Sequence, residues 1–368
     1  MARGTALRSA SVSRRWRTIG LALALLALAS CGGGGGGGSS TPPNPGSKLF
    51  FTDGGNRALI SIINPTPTAS FSVDRVVEGA ATGLGTAVGD VLSIPSIALD
   101  APADRLYVAT QGNTIIFDNV SQADGNVPYT RAMGATINTG GGNRAVNFFR
   151  ISLDAVNSRL YTVDPFGEVH VFNNPTTPAG ATTVVRIITP DTGTATISTT
   201  FGLAIDVGKD MLYLGVNFSG SSNIIVFNNA STAGTGPTTT SPLAPNRTLT
   251  FAQGIGSFFL DTAGDRLYAA QSDGKILVFD NASTLASGPI TPNRTIDPTD
   301  GVQNFIFVDT SRNKLYAVAN AVSPGRGALI IIDNASTVSG DTGSLPGFQN
   351  AFVFDVTNIA LSAVAVKP

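Results

Sequence analysis

The chain has 368 residues, with 23 Lys+Arg against 24 Asp+Glu, a formal net charge of −1, one His and one Cys. Charged residues make up only 13% and Gly numbers 42, which excludes a coiled coil, an acidic disordered tail and a basic nucleic-acid-binding face. A single Cys excludes a disulfide framework or a thiolate metal cluster, and only Glu78 and Glu168 accompany the 22 Asp.

The chain begins with Arg3, Arg8, Arg14, Arg15 and Arg17 and no acid, followed by an apolar run from Ile19 to Ala29. That run is shorter than the ~20 residues of a membrane span, so residues 1–30 read as an export signal. The unique Cys31 closes Leu28-Ala29-Ser30-Cys31, which resembles the lipobox of bacterial lipoproteins. The resemblance implies cleavage before Cys31, a diacylglycerol on its sulfur and an acyl chain such as palmitate on its amine. Several chains give stable attachment where one is marginal, so the membrane is the first expected partner. The inner-membrane retention signal of that family has Asp after the Cys. Here the residue is Gly32, which implies an outer-membrane lipoprotein, periplasmic or surface-facing. Ser13-Arg14-Arg15 is similar to a twin-arginine signal, but Arg17 and Thr18 depart from it; the general secretory route is expected.

Removing residues 1–30 leaves 18 basic against 24 acidic residues, a net of −6. That balance argues against nucleic acid as a partner. Residues 31–47 carry the Cys and then GGGGGGGSSTPPNPGS, a flexible tether of about 20 Å root-mean-square reach and under about 58 Å fully extended. No Lys-Ser/Thr and no helical pattern follows the Gly run, so it is not a phosphate-binding loop.

Residues 48–368 repeat. An apolar run ending in Asp recurs at Asp100, Asp154, Asp206, Asp261, Asp309 and Asp355, spaced 54, 52, 55, 48 and 46 apart. Leu follows six residues later, and five copies continue with Tyr107, Tyr161, Tyr213, Tyr268 and Tyr316. A third run closes on a polar pair, as in Phe117-Asp118-Asn119 and Phe279-Asp280-Asn281. A fourth element carries Arg75, Arg131, Arg186, Arg247 or Arg294. Each unit therefore holds about four short strands, and the nearly continuous apolar runs require sheets covered on both faces. A ring of four-stranded sheets packed face to face satisfies this. The stretches Leu49-Phe50-Phe51-Thr52-Asp53-Gly54-Gly55-Asn56-Arg57 and Asp261-Thr262-Ala263-Gly264-Asp265-Arg266-Leu267-Tyr268-Ala269 resemble the NHL and YVTN families of β-propellers over roughly residues 48–366. The expectation is an all-β propeller of six four-stranded blades. Five units start near residues 96, 150, 202, 257 and 305, and residues 351–366 join 48–78 in a composite blade. Seven blades stay open, because Ile359 to Val366 and Leu49 to Thr52 both look like second strands.

A feature present in every copy serves the scaffold. The repeated Asp reads as a turn former, the Tyr as packing with a polar tip, and Asn-Ala-Ser-Thr at Asn229, Asn281 and Asn334 as turn chemistry rather than a glycosylation acceptor. The Arg of strand four reads as an outer-edge charge against strand addition. The lone His170, with Glu168 on its face, reads as a strand residue with a satisfied ring. The connections from strand two to strand three differ between copies, and individual loops mark binding surfaces. The candidate binding residues there are Gln111, Asp164, Phe166, Asn217, Phe218, Gln271, Asp273, Asn320 and Arg326. No catalytic residue, metal ligand or cofactor is expected. The function expected is a lipid-anchored binding or scaffolding module for a protein or glycan. The alternative is a propeller enzyme, either a gluconolactonase-type metal-dependent hydrolase or a quinone-dependent dehydrogenase, for which two Glu and one His supply few groups.

Overall fold

The computed structural model describes residues 47–53, 57–65, 73–84, 96–110, 112–138, 143–175, 183–236, 241–298, 305–323, 326–341, 353–354 and 361–368. These form six antiparallel four-stranded blades. Blade 1 is composite: Leu361–Lys367 is innermost, followed outward by Lys48–Asp53, Ala58–Ile63 and Arg75–Val77. Blades 2 to 6 begin with the inner strands Ser96–Asp100, Arg150–Asp154, Thr199–Asp206, Ile255–Asp261 and Phe305–Asp309. Each of these runs outward through three more strands in chain order. The six inner strands neighbour one another in that order, and Phe305–Asp309 returns to Leu361–Lys367 to close the ring.

The Leu-Tyr pair of strand two shows why the repeat takes this form. Side chains alternate across a strand, so Leu and Tyr point into different blade interfaces. Leu106 packs in the cluster shared with blade 1, beside Phe50 and Leu59. Tyr107 packs in the cluster shared with blade 3, beside Leu160 and Phe172. The pattern repeats with Leu160 and Tyr161, Leu212 and Tyr213, and Leu267 and Tyr268. All five Tyr are at most 1% exposed. Each large side chain sealed this way contributes about 1.5–3 kcal/mol, and no blade could bury these faces alone.

Two details of the repeat reading are corrected. The run Phe352-Val353-Phe354-Asp355 is not the first strand of the composite blade. Val353–Phe354 pairs with Gly327–Ala328 as the outer strand of blade 6, and Asp355 lies outside the described residues. The inner place goes to Leu361–Lys367, paired along Lys48–Asp53. Its Ala363 to Val366 are 2–7% exposed, the double-sided burial that an innermost strand needs.

In blades 3, 4 and 5 the strand-four Arg does not guard a free edge. In blades 3, 4 and 5 the outer strand gains a two-residue parallel segment, Pro242–Leu243, Gly288–Pro289 or Gly340–Asp341, from the next blade's connection between strands three and four. The Arg side chains cap carbonyls of that same connection: Arg186 on Ala230 at 3.1 Å, Arg247 on Leu285 at 2.9 Å and Arg294 on Val338 at 3.3 Å. Gly234 makes one such approach possible. Its φ is +94°, and a Cβ there would lie 2.3 Å from the Ile187 carbonyl oxygen. The charge thus ties blade to blade while its stem packs.

Candidate functional site

Antiparallel blades put the one-to-two and three-to-four turns on one face, here called lower, and the two-to-three and four-to-one connections on the other, upper face. The lower face is copied. The Asp ending each inner strand accepts the backbone N–H three residues on, at 2.8–3.3 Å, in all five of blades 2 to 6. Asp104, Ser158, Asp210, Asp265 and Asn313 then take φ of 51–54°, a left-handed conformation that short polar residues tolerate. After strand three, Asn119, Asn174, Asn229, Asn281 and Asn334 do the same at 51–57°. Asn-Ala-Ser-Thr is spent on this geometry. Ala230, Ala282 and Ala335 are fully buried. Ser231 and Ser283 donate to Asp210 and Asp265 at 2.7 Å, and the Thr hydroxyls donate back to the Asn carbonyls.

The upper face is individual, most of all at blade 3. Asp164 builds the loop there: its Oδ1 accepts the N–H groups of Phe166 and Glu168, each at 2.9 Å. Gly167, at φ +91°, lies where a Cβ would meet Ile197 at 2.5 Å. That tight loop pushes Phe166 outward, 71% exposed. The hairpin Thr136–Asn138 with Asn143–Ala145, which blade 3 alone receives among the described residues, brings Arg144 over the loop. Arg144 pairs with Glu168 and, at 3.4 Å, with Asp164.

Beneath them lies His170, fully buried, with neither ring nitrogen hydrogen-bonded. Its ring is therefore not satisfied, contrary to the sequence reading. Nε2 is 3.5 Å from Glu168 Oε2. Burial lowers the imidazole to about 4, against the pull of Asp164. Burial also raises the Asp164 carboxyl, opposed by His170 and Arg144. At neutral pH the site holds an uncharged imidazole under an Arg–carboxylate lid, and the ring touches no solvent.

The same blade also reaches across the ring at its upper end. Arg150 opens the inner strand of blade 3, and Phe305 opens that of blade 6, directly opposite in the ring. The Arg150 guanidinium lies 4.7 Å from the Phe149 ring centroid and 4.8 Å from that of Phe305. Burial lowers it to about 10, so it stays charged and is held by the two π-faces.

The remaining expected residues fall as follows. Asn217 and Phe218 end a long second strand in blade 4 and are half-buried; Asn217 accepts the Ser222 hydroxyl at 2.7 Å. Gln271 is 7% exposed and closes its loop by a backbone bond to Lys275, while Asp273 is exposed. Asn320 and Arg326 sit at the end of the long blade 6 hairpin by backbone pairing, their side chains lying outside the description. Cys31 and Gln111 lie outside the described residues. The structure thus gathers Asp164 and Phe166 with Arg144, Glu168 and His170 in one sector and leaves the other described ones in pairs on blades 4, 5 and 6. Arg144, Phe149, Arg150 and Phe305 were missed. The available signal was the residue just before each inner apolar run, which reads Ser96, Arg150, Gly202, Ser257 and Phe305. Among the described residues no group of three or more His, Cys, Asp or Glu is placed to hold a metal ion.

No family model matches the sequence, and no curated protein matches it. Solved structures do. The crystal structure of a nidogen/laminin complex matches at 12% identity, covering 88% of this chain and 99% of that one, with a TM-score of 0.50. A Myceliophteria thermophila Cps50 (Swd1) β-propeller domain gives 13% identity over 76% and 78% of the two chains, TM-score 0.43. A mitotic checkpoint complex gives 12% over 86% and 78%, TM-score 0.46. The likeness to the first is one of fold. One propeller fold carries many unrelated functions, so the role is a question for the site.

Proposed function

We propose that the chain is a cell-envelope lipoprotein, moored to the outer membrane through Cys31, that binds a protein or glycan partner with the upper face of its propeller. The observation that carries this reading is the contrast between the faces. Hydrogen-bonded turns are copied through blades 2 to 6 on the lower face, whereas the upper face differs blade by blade and presents Phe166 to solvent. An exposed aromatic set in a rim of charge is the usual anchor of an interface. The anchor rests on the basic head, apolar run and unique Cys of residues 1–31, and the tether of residues 32–47 gives the propeller room above the bilayer.

Two experiments test the proposal. Mass spectrometry of Cys31 from envelope fractions should find it acylated, and Cys31→Ala should release the protein from membranes. Full acylation or unchanged membrane retention of Cys31→Ala would end the lipoprotein reading. Affinity capture with the full chain should lose its envelope partners when Phe166, Phe218 and Arg326 are replaced together by Ser, Ser and Gln. Undiminished capture would place the interface elsewhere.

A further inference from the structure

The lower face repeats its charges as well as its turns, so a charge missing from one blade stands out. In blades 2, 5 and 6 the cation opening strand two faces the Asp closing strand three: Arg105 with Asp118, Arg266 with Asp280 at 3.2 Å, and Lys314 with Asp333. The strand-four Arg shares that carboxylate in blades 2 and 5, Arg131 at 2.8 Å and Arg294 at 3.5 Å. Blade 4 has neither charge, with Met211 opposite Asn228. Blade 3 keeps the cation and lacks the acid. Arg159 faces Asn173 and, among the described residues, makes no hydrogen bond or ion pair.

A second vacancy lies beside it. The left-handed turn Asp at positions 104 and 265 pairs with a lysine of the preceding blade, Lys367 and Lys209, each at 2.9 Å. The equivalent Asp210 accepts Ser231 N–H and Oγ at 2.7 Å and, among the described residues, meets no cation. Where blade 4 has Lys209, blade 3 has Asn157, whose amide turns back onto Asp154 at 2.8 Å. Arg159 and Asp210 both open onto one cleft of about 340 Å³ between blades 3 and 4, with Asn157, Tyr161 and Asp154 in its wall.

We infer that this cleft binds a small zwitterion of the amino-acid class, its carboxylate on Arg159 and its ammonium on Asp210. The guanidinium fork matches a carboxylate in two parallel hydrogen bonds. A simple anion would meet Asp154 and Asp210, and a simple cation would meet Arg159. A ligand carrying both charges supplies both partners that blades 2 and 5 find within the protein. The cleft is of the size that takes small ligands and lies on the face opposite the proposed partner surface, so it stands independently of that reading. A free amino acid and the zwitterion of a short peptide share this chemistry.

The test is calorimetric titration of the full-length protein in detergent, at low salt, with free L-amino acids and dipeptides beside acetate and ethylammonium. At least one zwitterion should bind about tenfold or more tightly than either singly charged probe. Preference for the free amino acids marks a metabolite, and preference for dipeptides marks a peptide. Arg159→Gln and Asp210→Asn should each weaken binding about tenfold or more. Asn173→Asp rebuilds the carboxylate of blades 2 and 5; it should weaken binding as much while leaving the melting temperature equal or higher. Zwitterions binding no better than acetate and ethylammonium, or binding that survives both Arg159→Gln and Asn173→Asp, would overturn the assignment.

Discussion

Replacing His170 by Leu should abolish a step in the acid stability of the propeller. The ring is fully buried, neither nitrogen is hydrogen-bonded, and burial lowers it to about 4. In the unfolded chain the same group titrates near ~6.5. Below that pH the unfolded state takes up a proton that the folded state refuses, so stability falls as pH drops from about 6.5 toward about 4. A tenfold difference in proton affinity is about 1.4 kcal/mol. The whole gap therefore amounts to about 3 kcal/mol, of which about 2 kcal/mol appears between pH 7 and pH 5. Leu fills the space without titrating and removes two buried polar atoms that have no partner, a change that is neutral or stabilising. Urea denaturation of both proteins at the two pH values gives the comparison. The wild type should lose about 2 kcal/mol more than His170→Leu on acidification. Equal losses would refute the buried neutral imidazole. A variant weaker by more than about 2 kcal/mol at pH 7 would show that the ring makes hydrogen bonds after all.

Three further outcomes are expected. Leu267 is fully buried between blades 4 and 5, and Leu267→Ala should cost about 2–5 kcal/mol in urea denaturation; a loss under about 0.5 kcal/mol would put that face outside the core. Deleting residues 361–368 removes the inner strand of blade 1 and uncovers Phe51 and its neighbours, so the cooperative thermal transition should disappear or drop steeply. A truncated chain melting like the full one would mean that the C-terminus does not close the ring. Arg150→Ala removes a cation from two aromatic faces and should cost about 1–3 kcal/mol, read by the same denaturation; unchanged stability would deny the bridge across the ring.

The architecture was legible because a closed ring imposes the same demand on every blade. Leu and Tyr must seal two interfaces, Asp must cap a turn, and Asn must take a left-handed φ, so these residues recur at fixed offsets. The place of a strand within its blade was less legible. Phe352-Val353-Phe354 and Leu361 to Val366 are both short apolar runs, and periodicity alone does not distinguish an inner strand from an outer one. The strand-four Arg misled for a related reason: its acceptors are carbonyls about 38 to 44 residues onward, in the next blade. The candidate site was legible only as variation. Asp164 and Phe166 were singled out because their loop differs from its counterparts. Arg150 and Phe305 were not, since they meet across the ring from positions 155 residues apart with no local spacing to link them. The missing carboxylate opposite Arg159 was visible in principle, as Asn173 standing where Asp118 and Asp280 stand in other copies.

The division between an individual upper face and a copied lower face is tested most directly by photo-crosslinking in intact cells. Among the described residues blade 3 carries one strongly exposed apolar side chain on each face, Phe166 above at 71% and Val156 below at 84%. A photoreactive amino acid at position 166 should capture a discrete envelope macromolecule, and the same group at position 156 should not. Capture at position 156 with none at 166 would contradict the assignment of the binding face.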